Sequence, residues 1–140
     1  MRQQDTPAPL PLENIRVLEL EQLIAGPYCG QVLADFGAEV VKVEPPGKGD
    51  AMRQWGEADQ ESGDPLWWNV IGRTKQSLTL DLRQQRGQDV LRQLAARADV
   101  IIENFRPGTM ERWGLSYDEL SRHNPKLVMV RVTGFGQDGP

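Results

Sequence analysis

Short apolar runs with strand character alternate with helical stretches along this chain, and this alternation limits the possible folds more than any other feature. Each run is followed by a turn or an amphipathic segment; the five runs cover residues 15–20, 39–44, 77–82, 100–103 and 127–132. Strands that alternate with helices form parallel sheets through right-handed crossovers. The sequence therefore predicts an α/β fold, Rossmann-like and doubly wound, with a mostly parallel sheet whose strands are apolar on both faces.

The helix after the first run has the clearest boundaries. Residues 25–36 are predicted to be helical, because a proline lies in the first turn and a glycine follows the end. We expect Leu33 and Phe36 to share a buried face with Tyr28 or Cys29, at three- and four-residue spacing.

Three further segments are predicted to be helical. Residues 87–97 carry apolar side chains along one face, and residues 65–71 are expected to form a short helix. Residues 116–119, Ser-Tyr-Asp-Glu, have the spacing of a capping box that opens a helix running to about His123.

Composition narrows the class of protein. The chain has 140 residues, which suffice for one domain, with 39% apolar and 26% charged residues, typical of a soluble globular protein. A net charge of −4 argues against broad nucleic-acid binding. The single cysteine, Cys29, and the single histidine, His123, argue against an internal disulfide and against a Cys- or His-rich metal site.

The start of the chain is punctuated by prolines rather than by an apolar stretch. Residues 1–12 contain Pro7, Pro9 and Pro11 and are expected to form a flexible leader, and residues 13–140 the domain. No apolar run approaches the roughly 20 residues of a membrane-spanning helix, and no signal-peptide core follows Met1. We therefore expect a cytoplasmic protein that does not enter a membrane.

The parallel arrangement of the predicted strands indicates where a ligand binds. In open parallel sheets the ligand lies in the crevice at the carboxyl ends of the strands. The loops that follow the predicted strands are therefore the candidate binding segments; they cover residues 21–27, 45–50, 81–83, 104–108 and 133–140.

The first of these loops opens a helix. Ala25, Gly26 and Pro27 precede free helical amides, which favour an anionic group, and small side chains allow a ligand to approach closely. A plain strand-to-helix turn explains the same residues equally well. Glu44 ends the second strand, where a nicotinamide-binding protein keeps an acid, but the glycine fingerprint is missing. Glu44 is therefore interpreted as a structural or groove-edge acid.

Four basic residues are expected to lie in or beside two groove loops, namely Lys48, Arg73, Lys75 and Arg83. Such cations could bind phosphates, with arginine offering bidentate contacts. The alternative is an ordinary solvated surface.

The most informative stretch is residues 104–108, Asn-Phe-Arg-Pro-Gly. Asn104 can offer an amide to a ligand and Phe105 a flat face for stacking. Alternatively, Phe105 belongs to the core and Asn104 caps the turn. Arg112, beside Trp113, could bind a phosphate or lie across the indole.

Other reactive or aromatic side chains are given no ligand role. Trp67 and Trp68 are interpreted as core or partner-interface residues. Cys29 is interpreted as a small buried residue rather than a nucleophile, and His123 as a cation near a helix end.

Seven segments in order resemble the class III CoA-transferases, the family of formyl-CoA transferase, carnitine CoA-transferase and the α-methylacyl-CoA racemases. They are residues 17–20, 25–29, 33–46, 49–50, 75–82, 98–108 and 134–139, the last followed by Pro140. Each segment alone is a weak signal, but together they cover nearly everything after residue 12.

This resemblance implies that coenzyme A (CoA) occupies the groove. The family's CoA-binding positions fall on Ala25, Leu80, Arg83, Asn104, Phe105, Arg106 and Arg112. It also implies exchange of CoA between an acyl-CoA thioester and a small carboxylic acid through an aspartyl anhydride, without a metal. No aspartate here matches the nucleophile, which is expected beyond Pro140, so the chain resembles part of a larger domain from an interlocked homodimer.

Two departures from the family pattern bear on the groove. Some members carry a polar residue where this chain has Ile24, and some carry a basic residue where it has Pro45, so that Lys48 is the candidate for that phosphate contact. Two alternatives remain open: a racemase of 2-methylacyl-CoA from the same family, and a CoA- or nucleotide-binding module without catalysis.

Overall fold

Five parallel strands form one sheet, as the alternating pattern predicts. The computed structural model describes residues 8–20 and 22–139. The strands are β1 (Arg16–Glu19), β2 (Glu39–Glu44), β3 (Gln76–Thr79), β4 (Val100–Glu103) and β5 (Val128–Arg131). Their order across the sheet is β3-β2-β1-β4-β5, and every neighbouring pair is parallel. The prediction of a Rossmann-like α/β fold is therefore confirmed.

Helices connect the strands and cover both faces. They are α1 (Ala25–Asp35), α2 (Leu66–Ile71), α3 (Gln85–Ala95), α4 (Thr109–Arg112) and α5 (Tyr117–His123), with a 3-10 turn at Ala51–Gln54. The Ser116 hydroxyl accepts a hydrogen bond from the Glu119 amide at 3.2 Å, which confirms the predicted cap of α5. The sequence did not predict α4 or the 3-10 turn.

The sheet separates two apolar cores. On one face, Val17, Val40 and Ile102 pack with Ala34 of α1. On the other face, Leu18 and Ile101 pack with Leu91 of α3, Met110 of α4 and Leu120 of α5. Register partners share a face in a parallel sheet, so the alternation along each strand divides the side chains between the cores.

The buried face of α1 differs from the prediction. Its buried residues are the small or polar ones, including Gly26, Gly30 and Ala34, whereas Tyr28 is 59% exposed and Phe36 is 51% exposed. The expected buried face is therefore wrong for Phe36 and Tyr28, whereas Leu33 and Cys29 are partly buried against the core. Small side chains face the sheet because α1 lies very close to it, and a Cβ at Gly30 would be only 2.0 Å from Glu19 Oε2 in β1.

The strands are not apolar on both faces, which is a second correction. Glu19, Lys42, Glu44 and Glu103 are strand residues that are at most 2% exposed. Each has a partner of opposite charge within 2.7 Å. Buried charges persist in a sheet because such partners offset their desolvation.

The chain before β1 reaches the end of α1. The Leu12 amide donates to the Phe36 carbonyl at 2.9 Å, and Leu12 packs against the core beneath α1. Residues 1–7 of the expected leader lie outside the described residues, and the division at residue 12 stays a prediction. Within residues 8–20 and 22–139, no helix is both long enough and apolar enough to cross a membrane.

Candidate functional site

A cavity of about 390 Å³ opens at the carboxyl ends of β1, β2 and β3. Its lining comes from the end of β2, from the loops that follow the three strands, from the loop after β4 and from the residue that follows α4. The residues are Leu20, Gln22, Val43, Glu44, Pro45, Pro46, Lys48, Leu80, Asp81, Leu82, Arg83, Phe105 and Trp113. The walls are largely apolar, with Lys48 and Arg83 as the cations. Three of the predicted CoA-binding residues, Leu80, Arg83 and Phe105, lie here together.

A second cavity, of about 490 Å³, lies at the carboxyl ends of β4 and β5 and reaches the start of α1. It is lined by Ala25, Asn104, Phe105, Arg106, Pro107, Val132, Thr133 and Gly134. Phe105 lines both cavities, so the two openings adjoin at this side chain. Six of the seven predicted CoA-binding residues therefore line one cavity or the other.

Arg112 is the predicted residue that lines neither cavity. It is exposed on α4, and its guanidinium donates to the Thr109 hydroxyl at 2.9 Å. The cation–π contact between Arg112 and Trp113 that the sequence left open is not present among the described residues. A contact of this kind joins Arg53 and Trp68 instead, with the guanidinium carbon 3.8 Å from the ring centroid. The proposed contact of Arg112 with CoA stays a prediction.

The orientation of Phe105 is held by its neighbours. Its ring meets Trp113 edge to face, with centroids 5.1 Å apart and an angle of 75° between the planes. Its backbone amide donates to Glu103 Oε2 at 2.8 Å. Phe105 thus packs against the core and also lines both cavities, and its contact with a ligand stays a prediction.

Glu103 is in turn anchored by an arginine on the neighbouring strand. Arg131 Nε lies 2.5 Å from Glu103 Oε1, and Glu103 is fully buried. Arg131 also donates to Glu111 at 2.7 Å, and this hydrogen bond lowers the pKa of Glu111. The arrangement fixes the point at which residues 104–108 leave β4.

Asn104 does not cap its own turn. Its side-chain amide donates to the Gln22 carbonyl at 3.2 Å, across the gap between the β4 and β1 loops. Gln22 lines the first cavity and Asn104 the second. Asn104 therefore joins the walls of the two cavities.

Of the four basic residues expected in or beside the groove loops, two line a cavity and two, Arg73 and Lys75, do not. Lys48 and Arg83 line the first cavity, and Arg83 Nε lies 2.8 Å from Asp81 Oδ1. Lys75 is instead buried, and burial lowers its pKa. Arg73 donates to Asp35 at 2.6 Å and to the Val70 carbonyl at 2.7 Å, so it faces α1 rather than a cavity.

Glu44 is the structural acid that its position at the end of β2 predicts. Burial raises its pKa, but hydrogen bonds from Arg53, Ser77 and the Asp50 amide outweigh burial and hold the pKa at about 2. The carboxylate therefore stays ionised and fixes the loop after β2, which carries Lys48 to the first cavity.

Trp67 does not belong to the core, so only the partner-interface alternative of its interpretation stays a prediction. It is 55% exposed, whereas Trp68 is partly buried under Arg53. Sequence reasoning also missed Trp113 as a cavity residue, because α4 is too short to show a helical period. Pro45 and Thr133 lie in loops that follow the carboxyl ends of strands, so the rule that ligands bind at these ends was sufficient to find them. Glu21 and Pro140, also in the selected loops, lie outside the described residues.

The cavities lie at the carboxyl edge of a parallel sheet, which is where doubly wound α/β proteins bind their ligands. The model of CoA-transferase family III matches residues 12–140. The chain belongs to this family.

Relatives agree with this assignment. The chain is 58% identical to succinyl-CoA–D-citramalate CoA-transferase of Chloroflexus aurantiacus, over 94% of this chain and 33% of that protein. It is 50% identical to the beta subunit of succinyl-CoA–L-malate CoA-transferase of the same organism, over 96% and 33%. A crystal structure of a CAIB/BAIF family protein from Brucella suis superimposes with a TM-score of 0.86 and 40% identity, over 95% and 36%. The chain thus spans about a third of the length of the curated relatives it matches.

Proposed function

We propose that this chain supplies the CoA groove of an enzyme that transfers CoA between an acyl-CoA thioester and a small carboxylic acid. The observation that carries the proposal is the pair of cavities adjoining at Phe105, in a chain of CoA-transferase family III. Two similar proteins named for succinyl-CoA favour succinyl-CoA as the donor and a small dicarboxylic acid as the acceptor.

The first cavity suits the nucleotide end of CoA. Leu20, Val43 and Leu80 provide an apolar wall, and Lys48 and Arg83 provide positive charge for phosphate groups. The Arg83 side chain is 73% exposed and its partner Asp81 is nearby on the same loop, so the guanidinium can turn to a phosphate without leaving a buried charge unpaired.

The second cavity suits the pantetheine arm and the thioester. Phe105 offers an apolar face, and Arg106 and Thr133 offer donors near the opening. Because the two cavities adjoin at Phe105, a single extended ligand can occupy both, with its phosphates in one and its thiol end towards the other.

We infer that the nucleophile is an aspartate outside this chain. In that reaction the aspartate carboxylate attacks the thioester carbonyl, the CoA thiolate leaves, and a mixed anhydride forms. The thiolate then attacks the aspartyl carbonyl and the acyl group leaves as a carboxylate. Reversal of these steps with the acceptor acid completes the exchange.

Four aspartates of the matched segments support this placement of the nucleophile, since each of the four holds local structure; they are Asp35, Asp50, Asp81 and Asp99. Asp35 accepts from Gln31 and Arg73, and Asp81 accepts from Arg83. Asp50 is buried and accepts from the Met52 amide, and Asp99 accepts from the Arg16 amide. The cytoplasmic location and the homodimer stay predictions.

Isothermal titration of CoA into the full 140-residue chain tests the groove. Arg83→Ala should weaken CoA binding roughly 10- to 150-fold, since a hydrogen bond to a charged group contributes about 1.5–3 kcal/mol. Arg122→Ala is the matched control, because Arg122 is an exposed arginine on α5 that pairs with Glu119. Equal affinities of Arg83→Ala and Arg122→Ala, or no binding of CoA by the folded chain, would overturn the proposal.

A further inference from the structure

Four charged side chains are buried together between α1 and the sheet. Lys42 Nζ lies 2.7 Å from Glu19 Oε1 and 2.7 Å from Asp50 Oδ2. Lys75 Nζ lies 2.7 Å from Glu19 Oε2. Each of these side chains is at most 2% exposed, and their charges cancel. We refer to Glu19, Lys42, Asp50 and Lys75 as the buried ion cluster.

Stability alone gives no reason for such a cluster. Taking charges out of water costs as much as their attraction returns, and well-packed apolar residues are often equally stable. A buried ion cluster is better explained when its members hold a backbone segment in a particular shape. The hydrogen bonds of the cluster to the backbone therefore show what it does.

Two members of the cluster bind the backbone of the loop after β1 and of the first turn of α1. Asp50 Oδ1 accepts from the Leu23 amide at 3.1 Å. Lys75 Nζ donates to the Pro27 carbonyl at 2.6 Å. These bonds lie four residues apart, so the segment of residues 22–27 is held near both of its ends.

This segment needs to be held. Leu23 has a φ of 70°, in the left-handed region that branched side chains avoid, and Ile24 at the start of α1 makes no side-chain cap. A strained, uncapped backbone keeps its conformation only where its surroundings impose it. Asp50 and Lys75 supply that constraint.

The same segment forms part of both cavities. Gln22 lines the first cavity and Ala25 the second. A change in the backbone conformation of residues 22–27 therefore changes the walls of both cavities. Lys75 lines neither cavity, so its effect on them must pass through this segment.

We propose that Asp50 and Lys75 are positioning residues, which hold residues 22–27 in the conformation that lines the two cavities. The part of this proposal that concerns CoA affinity rests on the proposed function. The part that concerns backbone conformation does not.

A pair of substitutions at Asp50 separates positioning from stability. Asp50→Asn and Asp50→Ala both remove the charge opposite Lys42, so both lose stability. Asn keeps a side-chain oxygen that can accept from the Leu23 amide, whereas Ala does not. Amide hydrogen exchange at Leu23 should be about tenfold faster in Asp50→Ala than in Asp50→Asn, the equivalent of one ordinary hydrogen bond.

Affinity for CoA should follow the same order. At a temperature where both variants are folded, Asp50→Ala should bind CoA about tenfold more weakly than Asp50→Asn. If the wild-type chain bound no CoA, the proposed function would fail, and exchange at Leu23 would still decide the positioning role. Equal exchange rates in the two variants would overturn that role.

A second variant applies if Asp50→Ala does not fold. The double substitution Lys75→Met with Glu19→Gln removes the bond to Pro27 and leaves Lys42 paired with Asp50, so no charge is left unpaired. The Tyr28 amide, which donates to the Ile24 carbonyl at 2.8 Å, should then exchange faster than in the Glu19→Gln single variant. Unchanged exchange at Tyr28 would overturn the role of Lys75.

Discussion

Gly30 of α1 lies directly against the buried ion cluster, and replacing it with alanine tests that contact. A Cβ at this position would be 2.0 Å from Glu19 Oε2 and 3.5 Å from Lys75 Nζ. The first distance is about 1.5 Å shorter than an ordinary contact between heavy atoms. Glu19 cannot turn away freely, because each of its carboxylate oxygens is held by a lysine at 2.7 Å.

The magnitude follows from two opposing effects. Alanine favours a helix interior over glycine by about 1 kcal/mol. Overpacking a buried site costs about 1–3 kcal/mol, and breaking a buried ion pair costs about 3–5 kcal/mol. We expect the added Cβ to push Glu19 away from a lysine, so the loss of about 3–5 kcal/mol less the helix gain of about 1 kcal/mol lowers the free energy of unfolding of Gly30→Ala by about 2–4 kcal/mol.

Urea unfolding of the 140-residue chain measures this change. Gly134→Ala is the matched control, because a Cβ there meets nothing within 4 Å and the φ is not left-handed. Its free energy of unfolding should stay within about 0.5 kcal/mol of wild type. If Gly30→Ala were as stable as Gly134→Ala, the close approach of α1 to the ion cluster would be refuted.

Three further predictions concern the loops of the site. Gly87→Ala should lower the free energy of unfolding by about 1–3 kcal/mol in urea, because its Cβ would lie 2.2 Å from the Asp81 carbonyl oxygen. The pKa of Glu44 is lowered to about 2, so the ionised carboxylate stabilises the folded state above the unfolded pKa, and this stabilisation is lost as the pH falls towards 2. The difference in free energy of unfolding between wild type and Glu44→Gln should therefore shrink by about 3 kcal/mol between pH 5 and pH 2. Asn104→Ala and Arg112→Ala should each weaken CoA binding in calorimetric titrations, and unchanged affinity in either variant would remove that residue from the groove.

Part of the fold could be predicted from sequence because the local signal was strong. β2 and β4 begin and end where their apolar runs predict, and the cap at Ser116 has its expected partner. The helix α4 was missed because it has only four residues and follows Gly108. In the sequence a glycine after a proline indicates only a turn, and in the structure Gly108 has a φ of 81°. A single helical turn shows no period.

The buried charges could not be predicted, because their partners are distant in sequence. Lys75 is 56 positions from Glu19, and Arg131 is 28 positions from Glu103. A charged residue inside an apolar run is expected to face solvent unless a partner of opposite charge is known. The positions of the site loops follow from the strand ends, whereas the interactions that shape these loops join residues that are distant in sequence.

Those interactions share one position in the fold. Three strands, β1, β2 and β4, end in a buried glutamate, and each glutamate fixes the loop that follows or faces its strand. Glu19 holds Lys75, which binds the backbone of the segment after β1. Glu44 accepts from the Asp50 amide in the loop after β2, and Glu103 accepts from the Phe105 amide after β4. An apolar residue at these strand ends could fill the same space but could not accept these hydrogen bonds, so the loops would lose the constraint that shapes both cavities before a ligand arrives.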